Sequence, residues 1–165
     1  GVGAGYSINK EIIVGPNKLT GEWGQNPIPG PMDDYEKSVK RHCGRVGAIE
    51  VFLSGPGLEN YYEFISKAKK TSREIVSLYQ EGDPVAIEVM NVYFERIARA
   101  FSSFVNILDP DVIVCGGGMS EIDDIYNEIP KRIIPYIASN FFLTPIIKAT
   151  HGSSSGVRGA AHLWN

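Results

Sequence analysis

The sequence predicts an α/β fold from three observations. Two short segments, Tyr6–Asn9 and Glu11–Val14, read as strands joined by a tight Asn9-Lys10 turn. A helical middle follows, and it ends in the long apolar-periodic stretch Pro84–Leu108. The chain then returns to strand, glycine turn, helix and strand, an alternation that reads as α/β.

Taken in order, the first element opens Gly1-Val-Gly-Ala-Gly5, with glycine at every second position. That spacing strips one face of a strand of side chains, so another molecule can approach the backbone. The chain opens in mid-pattern without Met and is expected to be a piece of a longer polypeptide. Residues 15–48 are rich in Gly and Pro and form the least regular part. Asn26-Pro-Ile-Pro-Gly-Pro-Met32 excludes a long helix, because each proline removes a donor and restricts its predecessor. Helices are expected over roughly Ile49–Leu53, Leu58–Lys67 and Ser72–Gln80.

In the long helix, Ala86, Met90, Tyr93, Ile97, Phe101, Phe104 and Leu108 step by three or four, which predicts a broad core-facing side. Asp83-Pro84 supplies an N-cap and a proline at the first helical position. Val112–Cys115 reads as a buried strand running into Gly116, Gly117 and Gly118. Ser120, followed by acidic residues, is expected to cap a helix over about Glu121–Ile137, kinked near Pro130 and Pro135. A glycine triplet there is either a tight turn or the cradle of a ligand's phosphate at a helix N-terminus. A strand near Pro145–Ala149 and a last helix over Val157–Trp164, with a turn and cap at Ser153–Ser155, complete the prediction.

Composition limits the function classes. The 165 residues carry a net charge of −3, with 43% apolar and 21% charged residues, ordinary values for a globular domain with one core. Lys67, Lys69 and Lys70 are a solvated helix end and form no basic stripe, so nucleic-acid binding is not expected. No apolar run approaches the roughly 18 residues of a membrane span. Cys43 and Cys115 make no disulfide framework, which suits a reducing cytoplasm. Cys115 reads as a small core residue, and His151 and His162 have no partner at metal spacing.

Four motifs occur in order: Gly21-Glu-Trp-Gly-Gln-Asn26, Cys43-Gly-Arg-Val-Gly-Ala-Ile-Glu50, Asp109-Pro-Asp-Val-Ile-Val-Cys-Gly-Gly-Gly118 and His151-Gly-Ser-Ser-Ser-Gly-Val-Arg-Gly-Ala-Ala161. Together they resemble the ROK family of sugar kinases and repressors across essentially the whole chain, and the tail resembles bacterial fructokinases most. The resemblance implies an actin-like ATPase (ribonuclease H-like) fold, with residues 1–165 forming the C-terminal lobe of a two-lobe kinase. It implies ATP and Mg²⁺ as cofactors, a hexose substrate (fructose before the others), and a homodimer. No catalytic residue falls in this chain, since the family's catalytic Asp belongs to the N-terminal lobe. The isolated chain is therefore expected to be inactive. A sugar-responsive transcriptional regulator and a decayed kinase are the alternatives.

Carried over position by position, the resemblance assigns Gly1, Gly3 and Gly5 to a phosphate loop, and Gly116, Gly117 and Gly118 to the adenosine side of the nucleotide. It assigns Glu22 and Glu50 to sugar hydroxyls, for which ionised carboxylates are strong acceptors. Read without it, Glu22 is a solvated loop acid and Glu50 an acid at a helix start.

The sequence departs from the pattern twice. Gln25 stands where the family has a zinc-binding His, and it retains only the capacity to hydrogen-bond a hydroxyl. Arg41, Cys43 and Ala48 stand where the family has three zinc-binding cysteines, so Cys43 is the only residual ligand position. A structural zinc needs four ligands, and its loss is expected. The 15–48 loop must then be held by packing or be mobile.

Overall fold

The computed structural model describes residues 1–151, and the expected helix at Val157–Trp164, the Ser153–Ser155 cap and His162 lie outside them. The expected hairpin is present but short. β1 (Ser7–Ile8) pairs antiparallel with β2 (Glu11–Ile12), and Asn9 and Lys10 turn between them with φ of 53° and 68°. Two consecutive left-handed residues match the twist of a two-residue hairpin.

After a 3₁₀ turn at Glu22–Gln25 come α1 (Asp34–Ser38), α2 (Ile49–Leu53), α3 (Gly55–Ser66), α4 (Ser72–Gln80) and α5 (Pro84–Leu108). The ends of α4 and α5 fall where sequence predicts, because local caps set them. Thr71 and Glu74 form a reciprocal capping box on α4, and Asp83 accepts a bond from the Ala86 amide at 2.8 Å on α5. α5 packs against α2, α3, α4 and α6 (Asp124–Arg132). Of the predicted stripe Ala86 to Phe101 are buried, while Phe104 is half-buried and Leu108 exposed, because the helix end runs past the core. Elsewhere burial is wider than the stripe. Val89, Phe94, Ala98 and Ala100 are also covered, as are Arg96 and Arg99, so the helix is the spine of the core.

β3 (Ile113–Cys115) pairs in parallel with β4 (Ile146–Lys148), Ile113 opposite Ile146, with α6 as the crossover. The Ala149 amide extends the ladder to the Cys115 carbonyl at 2.8 Å.

Two expectations are corrected. The helix expected over 121–137 is broken into a 3₁₀ turn at Gly118–Glu121, α6, and a second 3₁₀ turn at Ile134–Tyr136. Ile122 is extended between the first two, and Pro130 removes a donor inside α6, which stops at Arg132. Ser120 is not the cap: its hydroxyl donates back to the Gly117 carbonyl at 2.7 Å, a local bond that competes with capping.

The 15–48 segment also contains α1, for which the sequence offers no periodic signal. α1 carries Glu36, fully buried, into a cluster on α5. Arg96 Nε donates to Glu36 Oε1 at 2.9 Å, and Arg99 Nη1 and Nη2 reach its two oxygens at 2.9–3.1 Å. Arg99 also donates to the carbonyls of Pro29 (2.8 Å) and Pro31 (3.2 Å), and Arg96 reaches Asp33 at 3.2 Å. The Arg96 guanidinium lies 4.1 Å from the Tyr61 ring centroid. The proline-rich loop is thus held by an ion cluster in which both Glu36 oxygens are paired with guanidinium donors.

Candidate functional site

The N-terminal glycine segment lies against the 3₁₀ turn that carries Glu22 and Gln25. The Ala4 amide donates to the Gly21 carbonyl at 2.8 Å. A side chain at Gly21 (φ 93°) would meet the Ala4 carbonyl oxygen at 1.8 Å, and one at Gly24 would meet that of Val2 at 2.2 Å. These two glycines are required by the chain's own packing.

The candidate nucleotide glycines behave in the opposite way. Gly1, Gly3 and Gly5 line one side of a cleft of about 330 Å³, and Gly116, Gly117 and Gly118 line another, although more than a hundred positions of chain separate them. Added side chains at Gly5, Gly117 and Gly118 would meet nothing within 4 Å, and one at Gly116 only the Ala149 methyl at 3.8 Å. Gly117, with φ of 88°, is favoured by its own backbone conformation. Packing among the described residues does not demand Gly5, Gly116 or Gly118, whose bareness leaves open space with accessible backbone. The cleft's floor is apolar, with Tyr93, Ile97 and Phe101 of α5 beneath it. Cys115, on β3 at its edge, is pushed by burial up to about 11 and is a neutral thiol near pH 7. The sequence expectation of a helix N-terminus at the triplet is corrected: its last glycine, Gly118, opens a four-residue 3₁₀ turn, and α6 begins only at Asp124.

The candidate sugar residues come from two loops joined by backbone pairing. The Ile49 amide donates to the Asn26 carbonyl at 2.9 Å, and Pro27 bridges Ala48 in antiparallel register. That pairing sets the 3₁₀ turn that carries Glu22 and Gln25 against α2, which carries Glu50. Gln25 Nε2 lies 3.5 Å from Glu22 Oε2, a long contact, and both line a groove with Tyr6 and Arg45. Glu50 lines neither that groove nor the glycine cleft. Its Oε1 faces Gly1, where an added side chain would sit 3.4 Å away, and its Oε2 accepts from Arg41 Nε at 2.8 Å. Trp23 lines both spaces, and its buried Nε1 has no hydrogen-bond partner among the described residues.

Sequence reasoning missed Arg41, Tyr6, Arg45 and Trp23 as neighbours of the site. Arg41 precedes Glu50 by nine positions with no periodic relation, so only the folded loop brings them together.

The residues at the implied zinc positions do not fit that metal. Ala48 is buried and offers no donor, Arg41 puts a guanidinium 3.7 Å from the Cys43 sulfur, and Gln25 is a neutral amide. Cys43 is exposed, and the Arg45 amide, with help from Arg41, holds its thiol below the usual range. Among the described residues no three His, Cys, Asp or Glu side chains gather as a ligand set.

The ROK family model matches residues 1–165, the entire chain. The chain belongs to the ROK family. It is 38% identical to the N-acetyl-D-glucosamine kinase of Vibrio atlanticus over 99% of its own length and 55% of that protein's. The chain thus spans about half the length of the curated relatives it matches. Its fold superposes on a ROK family glucokinase from Streptomyces griseus, determined with glucose and AMPPNP, with a TM-score of 0.84 at 20% identity, covering 98% of this chain and 56% of that one. A ROK family transcriptional regulator, a homologue of the E. coli Mlc protein, superposes with a TM-score of 0.71 at 20% identity, covering 90% and 39%. The fold is the actin-like ATPase fold, mixed α/β with helices dominating. No described helix of this ROK chain is long and apolar enough to cross a membrane.

Proposed function

We propose that this chain is the C-terminal lobe of an ATP-dependent hexose kinase that phosphorylates a primary hydroxyl, fructose before other hexoses. The observation that carries the reading is the bare glycine cleft. Two distant glycine sets line one space that no side chain of the described residues fills. In this reading Gly1, Gly3 and Gly5 offer backbone to the phosphates, and Gly116, Gly117 and Gly118 line the adenosine side. Backbone amides suit an anionic ligand, and glycine permits close approach. Glu22, Gln25 and Glu50 hydrogen-bond the sugar hydroxyls. When bound with the nucleotide, Mg²⁺ would supply charge neutralisation at the phosphates.

Each carboxylate acts as an acceptor that fixes the hexose, so that its reacting hydroxyl meets the γ-phosphate. A base from the complementary lobe then takes the hydroxyl's proton. Kinase homologues at 34–38% identity support the class of reaction. Those homologues are named for N-acetylglucosamine, and fructose rests on the motif resemblance of the tail.

Coupled ADP release with fructose, glucose, mannose and N-acetylglucosamine tests the proposal, comparing this chain with the polypeptide that also carries its N-terminal lobe. Fructose-dependent turnover only in the longer form supports it. Turnover with N-acetylglucosamine instead retains the kinase and removes fructose. Silence of the folded longer form with every sugar overturns the kinase and favours the regulator or a decayed enzyme.

A further inference from the structure

We propose that Arg41 is the positioning residue for Glu50: it holds one carboxylate oxygen so that the other, facing Gly1, is kept as an acceptor for a hexose hydroxyl. The inference rests on the reading of Glu50 as a sugar contact. The guanidinium and carboxylate meet through Arg41 Nε and Glu50 Oε2 at 2.8 Å, with both side chains mostly covered (17% and 24% exposed). The pair is anchored on both sides. The Arg41 amide donates to the Arg45 carbonyl at 2.8 Å, and the Arg41 carbonyl accepts from the Gly44 amide at 2.8 Å, which closes a tight turn. Arg41 Nη1 also reaches the Cys43 sulfur at 3.7 Å, so the guanidinium plane is held from its own loop.

Glu50 stands on the first turn of α2, whose Ile49, Phe52 and Leu53 are core residues. Among the described residues only Oε2 is engaged by a side chain, while Oε1 points at the start of the glycine segment. A carboxylate with one oxygen tied to a planar fork and the other free is a pre-set acceptor for a hydroxyl.

The same contact explains how the loop dispenses with the metal its residues cannot hold. Of the three positions that would carry zinc thiolates, Arg41 and Ala48 hold none and only Cys43 does. Arg41 ties the loop to α2 through the carboxylate itself, while Glu36, Arg96 and Arg99 clamp the loop's other arm to α5. The buried Glu36 cluster thus carries most of the loop's order, and Arg41 sets the orientation of Glu50.

Steady-state kinetics of the two-lobe polypeptide test this, using Arg41→Met, Glu50→Gln and the double variant. Arg41→Met is expected to raise the hexose KM roughly tenfold, the loss of one charge-assisted contact, with ATP KM, kcat and melting temperature little changed. The double variant should be no worse than Glu50→Gln alone, because Arg41 acts only through Glu50. Arg41→Lys should recover part of the loss, and Arg41→Gln replaces Met if the methionine variant fails to fold.

Additive effects, or an unchanged hexose KM in Arg41→Met beside a raised KM in Glu50→Gln, overturn the positioning role and leave the sugar contact standing. A lower melting temperature and kcat at unchanged KM assign Arg41 to loop stability and also overturn it. An unchanged hexose KM in Glu50→Gln overturns the sugar contact itself, and the inference falls with it.

Discussion

Along the core-facing side of α5 apolar and charged residues alike find cover and partners, although Ile107 near its end is exposed, whereas the strands expose most of what they carry. Phe52, Ile75, Val89 and Met90 are sealed, and even Glu36 and Arg96 are buried in matched hydrogen bonds. In β1 and β2 every residue is exposed; Ile12 is 77% accessible and Val14 beside it 71%. β3 and β4 bury Ile113 and Ile146 yet expose Val114 and Ile147. The candidate nucleotide cleft lies where these two regions meet, with α5 as its floor and the glycine segments of the strand side as its rim. A rigid body beneath and bare, lightly packed backbone above is the division that lets a ligand approach main-chain atoms without disturbing the core.

The sharpest way to break this contrast is Glu36→Ala. It leaves Arg96 and Arg99 buried without their shared carboxylate, and the expected loss is about 3–5 kcal/mol of unfolding free energy in urea titration. A loss below about 1 kcal/mol would mean that water or Asp33 replaces the carboxylate, and that the loop is not clamped.

Next in size, the two thiols should differ about a hundredfold or more in alkylation rate near neutral pH. Cys43 is exposed with its thiol held below the usual 9.0, so it forms thiolate readily. Cys115 titrates at about 11, so its thiolate fraction rises tenfold per pH unit until then. Mass spectrometry of iodoacetamide-treated protein over pH 7–9 reads this directly, and equal rates would show that the inner side of β3 is open.

Asp83→Ala, which removes the cap of α5, should cost about 1 kcal/mol. Ile12→Thr on the hairpin should change stability by no more than about 0.5 kcal/mol, as for other exposed sites. A large loss at Ile12 would mean that the hairpin has a cover in solution, and would overturn its description as the exposed region.

The comparison also marks where sequence reading succeeds. α4 and α5 are legible because Thr71, Glu74, Asp83 and Pro84 are start signals that act within one turn. The Asn9-Lys10 hairpin is legible for the same reason. α1 is not, because it is too short to show a period and its reason to form is Glu36, bound to residues 60 and 63 positions away. The break after the glycine triplet is hidden too: Ser120 is a plausible cap by type, but its hydroxyl closes its own turn. At the candidate site, Glu22, Gln25, Glu50 and the two glycine sets are visible as motifs. Arg41 enters only as a missing cysteine until the folded loop sets its Nε on Glu50.

By itself the sequence determined the local elements, the α/β order and the family, since caps, turn residues and ordered motifs all act or are read over short spans. The tertiary structure alone decided which side of each polar residue is satisfied. It joined Arg96 and Arg99 to Glu36, set Arg41 on Glu50, and brought Gly1–Gly5 opposite Gly116–Gly118. The physical reason is that burial and ion pairing depend on which distant surfaces meet. No periodicity along one segment encodes the identity of its partner.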